Sequence, residues 1–529
     1  MMMNIHARPH QVGPPDRLGY LWLALGILFS LFAAHGRWDL SLAAWLVPLF
    51  VLRFTRSQSL RTSFCGALLA SAVAMLSFLY QSHLLNPLSI VIFLLMSSIL
   101  ALPYLLDRLI APRLALLSGV LATLIFPLSR VVVEYLLSFL PFGSFFSLAT
   151  TQYGNLPLLQ VISVTGVYGV SFLMAWSASV GNGVWEQHFS WPRIRTSTLL
   201  FSGLLALVLL GGSLRLAFFP PSGQTVRVAS ISASASARHL FPSPKQIRLL
   251  AQSHPAQLRA DFITYNNALL DRSRSEARAG AKIIVWTEVG AVTLAEDKTR
   301  LIERVQALAR EEHVYLDMGL AMFQLPATYL NQAILIDPEG HVVWTYNKHY
   351  PAPGDPQGPG EGKVPTTETP YGRLANVICF DADFPFLMRQ AGSQDVSMML
   401  VPSSDAQGIA LVHTQLLTFQ AIENGYSLVK PTNLGLSMAV DYQGRVLAAT
   451  DYFTTDQPTM IANVPMKGAW TIYAHVGDLF AFLCLIGWLG LAGFVALTSM
   501  YRRVHPSVLT CDPSLVSTEE KHEVGTGRR

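Results

Sequence analysis

Eight apolar runs, at about residues 19–35, 41–52, 62–80, 85–105, 114–139, 157–180, 198–219 and 479–500, constrain this chain more than any other feature. Most come close to the roughly 20 residues that a helix needs to cross a hydrocarbon layer. Composition agrees, since 51% of the 529 residues are hydrophobic and 13% are charged, too apolar for an ordinary soluble enzyme of this length. The expected fold is a polytopic α-helical membrane domain of about eight spans carrying a second, aqueous domain. The run at 41–52 is short and contains Pro48, so a re-entrant or core segment is its alternative. Arg8 and Arg17 precede the first run, but no small-residue cleavage site follows it, and it reads as a retained span rather than a signal peptide.

Lys and Arg stay on the cytoplasmic side of short membrane loops. Arg53, Arg56 and Arg61 follow the second run, Arg108 and Arg113 the fourth, Arg193 and Arg195 the sixth, and Arg502 and Arg503 the eighth. The alternate loops "QSHLLN" and "PFGSFFSLATTQYGN" carry none. Both termini are therefore expected inside, with the long segment from about 222 to 472 on the outer face. The domains expected are 1–221, membrane; 222–472, aqueous; 473–503, a last span; and 504–529, a polar tail without fixed structure. Net charge is only +4, with no basic stripe interleaved with aromatics, so nucleic acid is not an expected partner.

The outer segment has a different texture. Short β-rich runs such as "VRVASIS", "KIIVWTE", "AILIDPEGHVVWTY", "RLANVICF", "VSMMLVPSS" and "SLVKPTN" alternate with polar helical stretches at 256–279, 297–312 and 411–424. Apolar strands mixed with helices predict a layered sheet covered by helices. "DPEG" at 337–340 and "DYQG" at 441–444 are expected hairpin turns, with Gly supplying a positive φ.

Of four cysteines, Cys65 and Cys484 lie in apolar runs, Cys511 lies in the tail, and Cys379 stands alone in the outer segment. An unpaired thiol outside the cytoplasm calls for deep burial or for chemistry. Glu288 ends the apolar strand of "KIIVWTE", and Lys348 ends that of "VVWTYNKHY". A thiol nucleophile needs a base for its proton, and the carbonyl it attacks develops negative charge that a cation stabilises. Glu288, Lys348 and Cys379 supply those residue types. His313, His341, His349 and His413 show no metal-ligand spacing, so neither metal nor cofactor is expected. Arg130 and Glu134 lie four apart in the fifth run and share a helix face, where in lipid they should pair or line a polar cavity.

"VWTE", "YNKHY" and "CFDADFP", followed by "ENGYSLVKPTNLGLSMAVDYQGRV", resemble the Glu, Lys and Cys motifs of the nitrilase, or carbon-nitrogen hydrolase, superfamily. Upstream, "RVVVEYLLSFLPFGSFFSLATTQYGNLPLLQVISVTGVYGVSFLMAW" is similar to the membrane region of apolipoprotein N-acyltransferases, which join eight spans to an outward-facing nitrilase-like domain. The resemblance runs from roughly 115 to 500. It implies an αββα sandwich in a bacterial inner membrane protein whose catalytic domain faces the periplasm. It also implies acyl transfer from a phospholipid to the N-terminal amine of a diacylglyceryl-cysteine lipoprotein, through a thioester on Cys379, with Glu288 as base and Lys348 at the oxyanion. A membrane-tethered amidase using the same three residues with water as acceptor is the alternative. The family usually has a "PFGE" segment after the lysine; here "PAPGDPQGPGEG" stands, and Glu361 is the nearest candidate for its glutamate. Phe380 and Asp381 replace the Tyr and Glu usual after the cysteine.

Overall fold

The computed structural model describes residues 18–115, 118–140, 142–221, 223–233, 244–324, 328–352, 357–455 and 459–504. The tail after 504 and Cys511 lie outside these. The membrane part consists of helices α1 (Gly19–Ser30), α2 (Ser41–Ser57), α3 (Leu60–Gln81), α4 (Pro87–Ala115), α5 (Gly119–Leu137), α6 (Leu156–Leu159), α7 (Ile162–Thr165), α8 (Val167–Glu186) and α9 (Trp191–Phe218). Each of the apolar runs is helical over most of its described residues. Among the described residues, α3, α4, α5, α9 and the helix Leu479–Val504 are long and apolar enough to span, while α1 has 12 residues and α2 has 17. Leu199, Leu200, Leu207, Leu210 and Leu214 of α9 are exposed, and an apolar helix left this bare by its own protein requires hydrocarbon around it.

The run at 157–180, expected as one span, is instead broken. Helices α6 and α7 meet α8 at 118°. The break falls at Gly166, where φ is +63° and an added Cβ would lie 2.6 Å from the Tyr473 ring. Glu423 of the outer segment then accepts a hydrogen bond from Val167 N at 2.7 Å. A carboxyl group supplied from the other domain thus caps the N-terminus of α8 by accepting from one of its free N–H groups, although burial pushes its pKa up to about 8.

The outer segment continues with β1 (Thr225–Ile231), α10 (Pro244–Ser253), α11 (Pro255–Arg278), β2 (Ile283–Trp286), β3 (Ala291–Leu294), α12 (Lys298–Glu312), β4 (Tyr315–Gln324), β5 (Thr328–Ile336) and β6 (Val342–Asn347). It closes with β7 (Thr366–Thr367), β8 (Leu374–Asn376), α13 (Pro385–Gly392), β9 (Met398–Leu400), β10 (Ser403–Ser404), α14 (Ala410–Asn424), β11 (Ser427–Lys430), β12 (Thr432–Asn433), β13 (Leu436–Val440), β14 (Val446–Asp451) and β15 (Thr459–Pro465). A short α15 (Ile472–Val476) leads into α16 (Leu479–Val504). One sheet has the order β15-β1-β2-β4-β5-β6 with β3 beside β4, and the other β14-β13-β11-β9-β8-β7.

Side-chain alternation explains the layers. Ile283 and Val285 of β2 face a core shared with Met399, Leu400 and Leu428 of the second sheet, while Ile284 and Trp286 face Phe262, Leu269 and Leu308 of α11 and α12. Because a strand turns successive residues to opposite faces, a continuous apolar run fits only a sheet covered on both sides. Leu387, Leu417 and Ala421 of α13 and α14 join the inner core across the second sheet, which completes an αββα sandwich. Both expected hairpins form, at Gly340 with φ +82° and Gly444 with φ +85°.

Candidate active site

Strand direction brings the charged residues together. β2 and β4 are parallel, and β5 and β6 each reverse direction, so β6 runs with β2 and both strands end at one rim. Glu288 follows β2 and Lys348 follows β6, and Lys348 Nζ donates to Glu288 Oε1 at 2.7 Å. Asn331 Nδ2, from β5, donates to the same oxygen at 2.6 Å. Only 4% of Glu288 and 2% of Lys348 is exposed, so the pair is shielded from water and its geometry is fixed. Gly319 of β4 makes this possible, because a Cβ there would sit 2.0 Å from Thr287 O and push the Glu288 turn away.

Cys379 follows β8 at the head of a 3₁₀ turn, Cys379–Asp383. Its φ is +49°, a left-handed conformation that costs a non-glycine residue on the order of 1 kcal/mol and recurs where a side chain must be presented. Cys379 N donates to Pro402 O at 2.9 Å, and Sγ lies 3.6 Å from Ser404 O. Burial, and next the charge of Glu288, push the thiol well above its ordinary pKa, with Lys348 opposing. The resting sulfur therefore carries its proton and needs a base.

Asp381 is fully buried and does not face the thiol's chemistry directly. It accepts from Tyr346 Oη at 2.8 Å, Tyr350 N at 2.7 Å, His349 N at 3.1 Å and Ile378 N at 3.1 Å. It thereby ties the strand end carrying Lys348 to the turn carrying Cys379. Burial pushes its carboxyl up to about 6 despite these donors. Phe380 is half-buried, edge-on to Phe384 with ring centroids 5.4 Å apart. Glu361 is exposed, and among the described residues it joins none of the hydrogen bonds or ion pairs of the site. Gly360 N is bonded to Lys348 O at 2.9 Å, while the neighbouring Glu361 side chain is exposed. Among the described residues Glu361 is thus not brought into contact with Lys348 or Cys379.

Arg130 and Glu134 do pair, at 2.6 Å. Glu134 also accepts from Ser147 Oγ at 2.8 Å and Leu148 N at 3.0 Å, which fixes the loop after α5. That loop reaches the turn that carries Cys379, since Ser144 N donates to Asp383 O at 3.2 Å. Gly143, with φ +51°, lies so close that a Cβ would be 2.0 Å from Asp383 O. A second membrane contact lies beyond the thiol, where Gly408 packs against Ser82 O and Arg37 bonds Gln407 O.

Three site residues escaped the sequence reading. Asp405, His413 and Lys430 are buried beside Cys379, with His413 Nδ1 2.7 Å and Lys430 Nζ 2.5 Å from the Asp405 carboxylate. Lys430 ends the apolar run of "SLVKPTN", the same signal that picks out Glu288 and Lys348. Cys379, Asp405 and His413 lie close enough to share an ion, but Asp405 is already neutralised by Lys430 and His413 is bonded to it, so the donor atoms are committed to one another.

Residues 25–180 match the apolipoprotein N-acyltransferase N-terminal domain, and residues 250–471 match the carbon-nitrogen hydrolase domain. The apolipoprotein N-acyltransferase of Geobacter metallireducens is 28% identical over 409 residues, 70% of this chain and 73% of its own. The chain belongs to the apolipoprotein N-acyltransferase family. The family member from Shewanella oneidensis is 25% identical over 376 residues, 64% of this chain and 67% of its own. Among solved structures, an amidase from Nesterenkonia sp. aligns with 46% of this chain and 92% of its own, at 21% identity and a TM-score of 0.37.

Proposed function

We propose that Cys379 carries the acyl group in the transfer of an acyl chain from a membrane phospholipid to the N-terminal amine of a diacylglyceryl-cysteine lipoprotein. The chain is an acyltransferase. Glu288 takes the thiol proton as sulfur bonds to the ester carbonyl carbon, and Lys348 stabilises the oxyanion. The C–O bond then breaks, the proton on Glu288 goes to the departing alkoxide, and a lysophospholipid leaves. In the second half the amine attacks the thioester, Glu288 takes the amine proton, the C–S bond breaks and the thiolate recovers a proton.

One observation carries this reading. A buried Glu288–Lys348 pair at 2.7 Å stands beside a thiol whose turn is packed on a loop of the membrane bundle, Ser144 N to Asp383 O at 3.2 Å. A nucleophile built onto the bundle can meet an acyl ester whose chains stay in hydrocarbon. Cys379 is 6% exposed, so substrate rather than bulk water has to fill its surroundings.

The working domain boundaries are 1–221, 222–472 and 473–503, and the outer domain faces the periplasm from the inner membrane. In support, Arg56 and Arg108, from two of the short loops, lie at the end of the bundle away from the outer domain, whereas Arg37 lies at the other end against Gln407 O. Arg56 pairs with Asp107 at 2.8 Å and Glu186 at 3.4 Å, and Arg108 bonds Gln58 O, as the retention of cations on the cytoplasmic side requires.

The test is mass spectrometry of purified protein incubated with phospholipid. An acyl adduct on Cys379 with release of lysophospholipid is expected, followed by discharge to a diacylglyceryl-cysteine peptide as an amide. Cys379→Ala should form no adduct and turn over no substrate while remaining in the membrane fraction. Turnover by Cys379→Ala, or discharge to water with no amide formed, would overturn the proposal.

A further inference from the structure

Four charged side chains that the acyl transfer above leaves unused lie under the thiol. Asp405 Oδ1 is 4.0 Å from Cys379 Sγ and 2.7 Å from His413 Nδ1, and Asp405 Oδ2 is 2.5 Å from Lys430 Nζ. His413 Nε2 lies 3.1 Å from Asp383 Oδ1 at the end of the nucleophile turn, an ion pair rather than a well-aligned hydrogen bond. No more than 4% of any of the four is exposed. With His413 as imidazolium the group holds two anions and two cations, the condition under which charges stay buried without a large desolvation cost.

The thiol is consequently flanked by two lysine–carboxylate pairs, Lys348–Glu288 on one side and Lys430–Asp405 on the other. The sulfur's described contacts are on the second side, with Ser404 O at 3.6 Å and Asp405 Oδ1 at 4.0 Å. Both atoms are acceptors, so the contact they favour is with S–H and not with a thiolate. Asp405 itself is held by bonds to both cations and cannot swing away.

We propose that Asp405, clamped by Lys430 and His413, is a positioning residue for Cys379: it holds the resting sulfur as S–H on the Ser404–Asp405 side, so that thiolate forms against Glu288 only when the acyl carbonyl is in place. This inference rests on Cys379 being the nucleophile. It accounts for an unpaired thiol in the outer domain, because thiolate and not thiol is the form that reacts with oxidants and stray electrophiles.

The charges that act on Cys379 are Glu288 and Asp405, which favour the thiol, and Lys348 and Lys430, which favour the thiolate. Opposite substitutions must therefore move its reactivity in opposite directions. The experiment is alkylation of the full chain in detergent micelles by iodoacetamide without lipid, at fixed pH values from 7 to 9. Peptide mass spectrometry reads Cys379 apart from Cys65, Cys484 and Cys511. Asp405→Asn should speed alkylation at least tenfold at each pH, the change that one unit of thiol pKa makes in the thiolate fraction. Lys430→Met should slow it by a similar factor; if that variant does not fold, His413→Gln withdraws the other cation from Asp405 and must act in the same sense. A merely structural role would move both variants the same way. Unchanged rates, or shifts of one sign in both variants, overturn the proposal. Absence of an acyl adduct on Cys379 in the lipid experiment counts instead against the nucleophile, and the lipid-free alkylation profile is read independently of it.

Discussion

Removing the proton from His413 should cost this protein a measurable part of its stability, and the structure sets how much. Burial by itself lowers the pKa of an imidazole, but here Asp383 and Asp405 outweigh burial and the opposing charge of Lys430, and His413 is pushed up to about 9. These are the charged groups that face it, from the Cys379–Asp383 turn, from the segment after β10 and from β11. A folded value above the unfolded 6.5 means that the stabilisation is complete below pH 6.5 and is lost as pH rises through about 9. At 1.36 kcal/mol per unit the shift is worth at most about 3 kcal/mol, a few hundredfold in the unfolding equilibrium. His413→Asn keeps a donor toward Asp405 and does not titrate. Denaturant unfolding of parent and variant, followed by fluorescence of the buried Trp286, should show the largest gap at pH 6 and a gap smaller by about 3 kcal/mol at pH 10. Other groups titrate in both proteins and cancel in the difference. The same gap at both pH values refutes an imidazolium held between the two aspartates.

Glu288→Gln keeps the contacts of the carboxamide with Asn331 and Lys348 but removes the proton acceptor, so single-turnover acylation of Cys379 should slow by about 10²–10⁴-fold; a normal rate would show that another group is the base. Gly143→Ala places a methyl 2.0 Å from Asp383 O at a residue with φ +51°, and should destabilise the junction by at least about 1–2 kcal/mol and depress acylation while leaving membrane insertion intact. Unimpaired acylation and an unchanged melting profile would detach the membrane loop from the site. Glu361→Gln, at an exposed side chain that among the described residues has no part in the site's hydrogen bonds, should leave acylation unchanged and stability within about 0.5 kcal/mol; a slowed acylation would mean that the loop closes over Lys348 during turnover.

Much of this protein is local information and could be read residue by residue. The apolar runs announce the helices because hydrocarbon demands length and apolarity, whatever the tertiary arrangement. Strands β2, β9 and β11 read as buried because both faces of each must be apolar. Glu288, Lys348 and Cys379 stand out because each ends an apolar run with a side chain that does not suit burial alone. Lys430 carries the same signal in "SLVKPTN". What converged with what was not local. His413 sits on a helical stretch of ordinary composition and becomes a cation only because Asp383 and Asp405 reach it from two other segments. The break at Gly166 is stabilised by Glu423, 257 positions away from Gly166 in the sequence and 256 from its partner Val167. Gly143 looks like any turn glycine until Asp383 O is found where its Cβ would be. Hydrophobic periodicity is set by the nearest neighbours along the chain, whereas the pKa of a buried group and the need for a missing Cβ are set by atoms that only folding brings within a few ångströms, and those the tertiary structure alone decided.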